Sequence, residues 1–255
     1  MPFTFAHPAA VLPLRGLGRL RMAPLIIGAV TPDMPYYVPQ RFAHFGPETH
    51  SIVGSFTTCL VLGYGALAFA FLLRRPLTAL LSARARWLCL TALAPFDRRP
   101  LEWLLASVSI ILGVWTHLLW DSFTHLDGWM VRRIDVLSRV VTIGSYDGEL
   151  CHVLQYVSSV VGLAIMAVWY WRLQSPPAPR SPPAAAHSAA APVLLLAVAA
   201  AALIGGVQAI ETYRASEAIY RTLNVLLTHT IAWFAVLYLV AGTVIALSHD
   251  AAESG

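Results

Sequence analysis

The stretch WLLASVSIILGVWTHLLWDSFTH, residues 103–125, joins a long apolar run to a group of polar residues at its end. Up to Trp120 this run contains no acidic or basic residue other than His117, a composition typical of a helix that spans a membrane. An α-helix has about 3.6 residues per turn, so His117, Asp121 and His125, spaced four apart, are predicted to lie on one face. The sequence therefore predicts a spanning helix whose end presents two imidazoles and one carboxylate.

The composition of the whole chain agrees with a membrane protein. Of its 255 residues, 58% are hydrophobic and 12% are charged, whereas soluble domains contain about 25% charged residues. All 17 basic residues are arginines, and most lie between apolar runs, where we expect them to orient the chain in the membrane rather than to bind nucleic acid. The three cysteines are scattered and form no C-x-x-C pair, so the sequence predicts neither a disulfide framework nor a thiolate zinc site.

Apolar runs predict about five membrane-spanning helices, and hence an all-α integral membrane bundle. The predicted spans are residues 52–73, 103–120, 153–171, 193–210 and 223–247. They divide the chain into an N-terminal segment (1–51), a membrane core (52–171), a proline-rich connector (172–192) and C-terminal helices with a tail (193–255). No internal repeat is visible, which argues against a transporter built from inverted repeats.

The N-terminal segment contains an apolar run, residues 22–30, that is shorter than the roughly 20 residues needed to cross a bilayer. Pro24 interrupts this run, so we favour a half-helix, interfacial or re-entrant, over the core of a signal peptide. The half-helix is expected to deliver Asp33 to a loop held by two prolines. Before it, Pro8 predicts the first turn of a short helix that places His7 at its start.

Five spans would put most of the histidines and acidic residues on one side of the membrane, as a polar site at one membrane face would produce. Arginines are densest between Arg74 and Arg99, so the positive-inside rule makes that loop cytoplasmic and the polar side extracytoplasmic. The polar side also contains several arginines, among them Arg132 and Arg139, which weakens this asymmetry.

The histidines and aspartates of the polar side form a candidate metal site. Imidazole and carboxylate are ligands that Zn²⁺, Mn²⁺ and Fe²⁺ accept. The residues predicted to bind one or two divalent ions, with zinc expected, are His7, Asp33, His50, His117, Asp121 and His125.

Such a site favours hydrolysis of a phosphoester. Two ions about 3.5 to 4 Å apart, bridged by a carboxylate such as Asp121, would polarise a phosphoryl oxygen and supply hydroxide near neutral pH. Asp33 and Asp121 are the expected catalytic residues, because either could orient that hydroxide. A single ion would also serve amide or ester hydrolysis. Because the site lies at a membrane face, membrane lipid is the expected partner and a lipid headgroup the first substrate considered.

Each candidate ligand also has a structural explanation. His7 could cap the short helix, Asp33 could be a turn residue, and His50 could form hydrogen bonds at the membrane surface. The alternative function is accordingly a non-catalytic membrane protein, either a metal transporter or a structural subunit with a His/Asp cluster. Further polar residues considered are His44, Glu149, His152, Gln208, Glu211 and His229, and conceivable phosphate partners are Arg41 and Arg132.

Four stretches resemble a family of bacterial integral membrane proteins of uncharacterised function. They are Pro2-Phe3-Thr4-Phe5-Ala6-His7-Pro8-Ala9, Pro32-Asp33-Met34-Pro35-Tyr36, Thr49-His50-Ser51 and Thr116–His125. The resemblance implies a bacterial inner-membrane location.

The order of these motifs is also distantly similar to inner-membrane metal-dependent hydrolases and to the zinc-dependent phospholipase C and nuclease class. This similarity implies that the zinc ligands are His7, Asp33, His50, His117 and Asp121. The phospholipase pattern has a later His-x-x-x-Glu, whereas His152 is followed four residues on by Tyr156. The resemblance therefore implies a reduced site of one or two ions.

Overall fold

Helices account for most of the protein in the computed structural model, which describes residues 3–37, 45–93, 99–144, 146–173, 184–216 and 219–253. The predictions for Arg41, His44 and residues 174–183 of the proline-rich connector concern residues outside these ranges. The α-helices of the described ranges are α1 (Met22–Val30), α2 (Gly46–Thr49), α3 (Ile52–Phe56), α4 (Thr58–Leu72), α5 (Arg74–Ala79), α6 (Ala83–Ala92), α7 (Pro100–Thr124), α8 (Leu150–Arg172), α9 (Ala184–Ser216) and α10 (Ile219–Glu253). The same ranges contain 3-10 helices at Thr4–Gly16, Thr31–Tyr36 and Asp135–Ser138.

Within the described ranges, five helical segments are long and apolar enough to cross a membrane. They are Ile52–Leu72, Pro100–Thr124, Leu150–Arg172, Ala191–Ala215 and Val225–Ser248. The prediction of an all-α membrane bundle with several spans is therefore confirmed. The first span is not one continuous helix, because the backbone of Thr57 (φ −114°, ψ −94°) leaves the helical region and separates α3 from α4.

The chain divides into two units, of which unit 1 comprises Met1–Pro35, His44–Leu67 and Phe96–Gln174. In unit 1 the predicted half-helix is observed as α1, and it packs on the spanning helix α7. A Cβ at Gly28 would lie 2.2 Å from the carbonyl oxygen of Ile110, and one at Gly113 would lie 2.3 Å from that of Leu25. Only glycine fits contacts this close, so α1 lies directly against the backbone of α7.

The first 3-10 helix corrects the expectation for the N-terminus. It begins at Thr4, before Pro8, so His7 lies within the helix and not at its start. A Cβ at Gly162 of α8 would lie 2.9 Å from the carbonyl oxygen of Ala6, which shows how closely the 3-10 helix approaches α8. This packing leaves His7 buried.

A short β-hairpin in unit 1 was not predicted from the sequence. Its strands β1 (Val140–Ile143) and β2 (Tyr146–Glu149) pair antiparallel, with Val140 opposite Glu149. The hairpin lies between α7 and α8 along the chain.

Unit 2 comprises Tyr36–Ala43, Ala68–Pro95 and Ser175–Gly255, and its described part is dominated by packing of α9 on α10. Small residues recur every four positions on one face of α9, and all are buried: Ala197, Ala201, Gly205 and Ala209. A Cβ at Gly205 would lie 2.2 Å from the hydroxyl oxygen of Thr230 in α10. Small residues at this spacing allow two membrane helices to approach closely.

Candidate metal centre

Two short elements place Asp33 and the turn that contains His50. The 3-10 helix Thr31–Tyr36 follows α1 directly and includes Asp33, and α2 ends at Thr49, immediately before His50. The hydroxyl of Thr49 lies within hydrogen-bond distance of two carbonyl oxygens, that of Pro32 at 2.8 Å and that of Gly46 at 2.9 Å. The contact with Pro32 holds the two elements together.

These elements and α7 bring together the four-residue cluster of Asp33, His50, His117 and Asp121. One ligand atom from each residue lies within 4.8 Å of the other three. His50 Nε2 lies 3.4 Å from Asp33 Oδ1 and 3.7 Å from Asp121 Oδ2. His117 Nε2 lies 3.6 Å from Asp33 Oδ1 and 3.1 Å from Asp121 Oδ2. Two imidazole nitrogens and two carboxylate oxygens therefore converge on one point.

Backbone carbonyls orient both imidazoles of the four-residue cluster. His117 Nδ1 lies 2.8 Å from the carbonyl oxygen of Ala29, and His50 Nδ1 lies 2.8 Å from that of Gly46. A carbonyl can only accept, so each Nδ1 must carry the proton and donate it. When such a ring is neutral, Nε2 is the atom without the proton, and here it faces the carboxylates, which is the usual arrangement of metal-binding histidine.

The two oxygens of the Asp33 carboxylate differ in their hydrogen bonding. The Thr4 hydroxyl donates to Asp33 Oδ2 at 2.5 Å, whereas the buried Oδ1 has no hydrogen-bond partner among the described residues. Burial by itself raises the pKa of this carboxyl, but the neighbouring His117 and His50 imidazoles and the Thr4 hydroxyl lower it below its ordinary value. Asp33 is therefore ionised at neutral pH and directs one oxygen at the histidines.

The contacts within the cluster leave some of its buried polar atoms without a hydrogen bond to a described residue. His117 Nε2 and Asp121 Oδ1 are also buried without a hydrogen-bond partner in the described ranges, despite the short distance between His117 and Asp121. Leaving a buried polar atom unsatisfied costs about 1–3 kcal/mol. Ligands held about 2.1 Å from one tetrahedral zinc ion lie about 3.4 Å apart, close to the distances observed here. The four residues therefore fit a divalent ion.

His7 lies beside the four-residue cluster. Its ring stacks on that of His117, with centroids 3.8 Å apart and planes at 20°, and its Nε2 lies 3.6 Å from Asp121 Oδ1. Burial and the neighbouring His117 lower the pKa of His7 to about 3, so the ring is neutral at physiological pH. His7, predicted from the sequence as a ligand, therefore lies beside the other candidates. It is not one of the four residues whose ligand atoms lie within 4.8 Å of one another, and its role as a ligand stays a prediction.

The expected helical position of His125 is wrong. The helix α7 ends at Thr124, and His125 follows it with an extended backbone (φ −122°, ψ 140°). Its Nδ1 lies 3.2 Å from the carbonyl oxygen of Asp121 and 3.8 Å from Asp121 Oδ1. Burial lowers the pKa of His125. His125 still lies next to Asp121, although it is not on the same face of α7. Its role as a ligand stays a prediction.

The members of the cluster differ in exposure. The side chains of His117 and Asp33 are 0% and 1% exposed, whereas those of Asp121 and His50 are 11% and 24% exposed. His50 is therefore the most exposed member of the cluster.

Other polar residues considered from the sequence lie outside the four-residue cluster. His152 Nδ1 lies 3.0 Å from a carboxylate oxygen of Glu149, and in unit 2 His229 Nδ1 lies 2.7 Å from Gln208 Oε1. Arg132 donates to the carbonyl oxygen of Asp127. The roles of Asp33 and Asp121 as catalytic carboxylates stay predictions.

The sequence reasoning missed the residues that position the ligands. Thr4 and Thr49 fix Asp33 and the His50 turn through their hydroxyl groups. Each threonine lies within three residues of a candidate histidine in the sequence. A threonine close to a histidine is too common to predict a hydrogen bond to a residue distant in sequence.

Comparisons with known proteins identify the family but no function. No curated protein and no solved structure matches the chain. A family model described as a domain of unknown function, DUF4184, matches residues 1–247. Membership of an uncharacterised family, as expected from the sequence, is therefore confirmed. The more distant similarity to hydrolases stays a prediction. The protein belongs to the DUF4184 family of unknown function.

Proposed function

We propose that this protein is a membrane-embedded, divalent-metal-dependent hydrolase that acts on a phosphoester. The observation that supports this best is the four-residue cluster, in which two imidazoles, each with Nδ1 held by a backbone carbonyl and Nε2 facing the carboxylates, converge with two carboxylates within 4.8 Å. A cluster kept only for stability would be expected to pair its buried polar atoms, because an unpaired one is costly. Here Asp33 Oδ1, His117 Nε2 and Asp121 Oδ1 have no hydrogen-bond partner among the described residues.

Zinc is the ion that we expect, because two imidazoles and two carboxylates at these separations suit its ligand preferences. When bound, a divalent ion would polarise a phosphoryl oxygen and lower the pKa of water. Asp33 and His117, the most buried members, would fix its position. His50 and Asp121 are the more exposed members, so the substrate would approach from their side, where a carboxylate could orient the attacking water.

A membrane phosphoester is the substrate class that we favour. The loop after α7 exposes Leu126 and Trp129, and the Arg133 guanidinium lies 3.9 Å above the Trp129 ring. Exposed tryptophan is typical of the membrane surface, and arginine is well suited to bind a phosphate group. Arg132 in the same loop is the described candidate for binding the phosphate. The proposed location is a bacterial inner membrane with the site outside the cytoplasm, on the distribution of arginines in the sequence.

The non-catalytic alternative gains no specific support. A transporter would be expected to place polar ligands near the middle of the membrane, whereas His117 and Asp121 lie in the last turns of α7.

The test compares metal content and hydrolysis in detergent-purified protein. The variants are Asp33→Asn and His117→Gln, and the matched control is His152→Ala, which removes a histidine of unit 1 outside the cluster. We expect wild type and control to retain a transition metal and to hydrolyse a phosphomonoester, a phosphodiester or a phospholipid. Both cluster variants should lose the metal, and their hydrolysis should fall by at least about 100-fold, since even residues that only orient ligands contribute about 10–100-fold.

Two results would contradict the proposal. If wild type binds no metal even after addition of Zn²⁺ or Mn²⁺, the cluster is structural. If the cluster variants hydrolyse the substrates as fast as the control, the activity does not come from this site.

A further inference from the structure

The two oxygens of Asp121 face different nitrogens. Oδ2 lies 3.1 Å from His117 Nε2 and 3.7 Å from His50 Nε2, within the four-residue cluster. Oδ1 lies 3.6 Å from His7 Nε2 and 3.8 Å from His125 Nδ1. The two oxygens of one carboxylate therefore face different pairs of imidazoles.

The atoms on the His7 side are buried and lack partners. The His7 side chain is 1% exposed, and neither of its ring nitrogens forms a hydrogen bond with a described residue. Asp121 Oδ1 is likewise buried without a hydrogen-bond partner in the described part of the chain. Because the His7 ring is stacked on His117, it cannot turn toward another partner without losing that contact. A buried imidazole is thus directed at a buried carboxylate oxygen across a gap of 3.6 Å.

We propose that Asp121 bridges two divalent cations, one in the four-residue cluster and a second between Asp121 Oδ1 and His7 Nε2. This inference rests on the first cation, which the proposed function assigns to the cluster. The second cation would be of the same class, a transition metal such as Zn²⁺ or Mn²⁺ that accepts nitrogen and oxygen ligands. A bridging carboxylate holds two such ions about 3.5–4 Å apart.

His125 is the candidate for a third ligand of the second cation. It lies beside the same oxygen, and its Nδ1 is directed at the backbone carbonyl oxygen of Asp121 at 3.2 Å. Nδ1 is also the nitrogen that lies 3.8 Å from Asp121 Oδ1, so His125 would bind the second cation through Nδ1 only by releasing its contact with the carbonyl oxygen. A single buried water would also satisfy His7 and Asp121, so the number of bound ions separates the two explanations.

The experiment counts metal ions in the full-length protein, purified with a tag that contains no histidine. Metal-free protein is titrated with Co²⁺, separated from unbound ion by gel filtration and analysed for cobalt per chain, with the Co²⁺ absorption bands recorded during titration. We expect about two equivalents in wild type and in the His152→Ala control. His7→Ala and His7→Gln should each retain about one equivalent and lose one set of absorption bands. Asp121→Ala should retain less than one equivalent, since it removes a ligand from both positions.

The outcomes distinguish this inference from the proposed function. One equivalent in wild type, retained in both His7 variants, overturns the second cation and leaves the first in place. One equivalent in wild type that both His7 variants lose also overturns it, because His7 would then bind the first cation. Wild type without any metal overturns the proposed function itself. If the His7 variants do not fold, the stoichiometry of wild type alone decides between one ion and two.

Discussion

Unit 1 and unit 2 differ in how many polar side chains they bury. Among the described residues, every buried polar or charged residue except Thr78 belongs to unit 1. In unit 2, by contrast, the face of α9 that is buried consists of alanine and glycine. A polar contact between α9 and α10 joins His229 to Gln208. Burying ionisable groups is costly in a membrane protein and usually marks function. The comparison therefore indicates that unit 2 is built for helix packing, whereas unit 1 is built around its cluster.

The largest effect on stability is expected from adding a methyl group at the close contact between α1 and α7. In Gly113→Ala the new Cβ would lie 2.3 Å from the carbonyl oxygen of Leu25, so the helices must separate. Overpacking of this kind typically costs about 1–3 kcal/mol. Because α1 leads into Asp33 and α7 contains His117, we expect a lower thermal unfolding midpoint in detergent together with a lower metal content.

The matched control lies in unit 2. A Cβ at Gly206 in α9 has no neighbour within 4 Å, so Gly206→Ala should be neutral or stabilising by up to about 1 kcal/mol through helix propensity. If Gly113→Ala behaved like Gly206→Ala, the close contact of α1 with α7 would not control the site.

The parts of unit 1 that could be predicted from sequence are those set by local patterns. Hydrophobic length predicts the spans, and the four-residue spacing within α7 correctly places His117 and Asp121 together. The same spacing fails for His125, because the end of α7 at Thr124 has no strong sequence signal. The approach of His50 to the cluster depends on a hydrogen bond from a threonine to a carbonyl oxygen distant in sequence. No periodicity in the sequence encodes such a contact.

A smaller effect is expected from Thr4→Val, which keeps the shape of the side chain but removes the hydroxyl that holds Asp33 Oδ2 at 2.5 Å. We expect the affinity for Zn²⁺ to fall by about 10-fold, the lower end of the range for residues that orient metal ligands. The control is Thr243→Val in α10, where the hydroxyl donates to the Leu239 carbonyl within the same helix. Equal affinities in competition with a metal indicator for Thr4→Val and wild type would show that Thr4 does not orient Asp33.

The smallest effect is expected from the polar pair of unit 2. Gln208→Leu removes the partner of His229 Nδ1 at 2.7 Å, and hydrogen bonds between membrane helices contribute about 0.6 kcal/mol on average. We expect a slightly lower unfolding midpoint with unchanged metal content and hydrolysis, because all the candidate ligands lie in unit 1. If Gln208→Leu lowered metal content as strongly as Thr4→Val, the polar pair would contribute to the site. The assignment of the two units to packing and to chemistry would then be wrong.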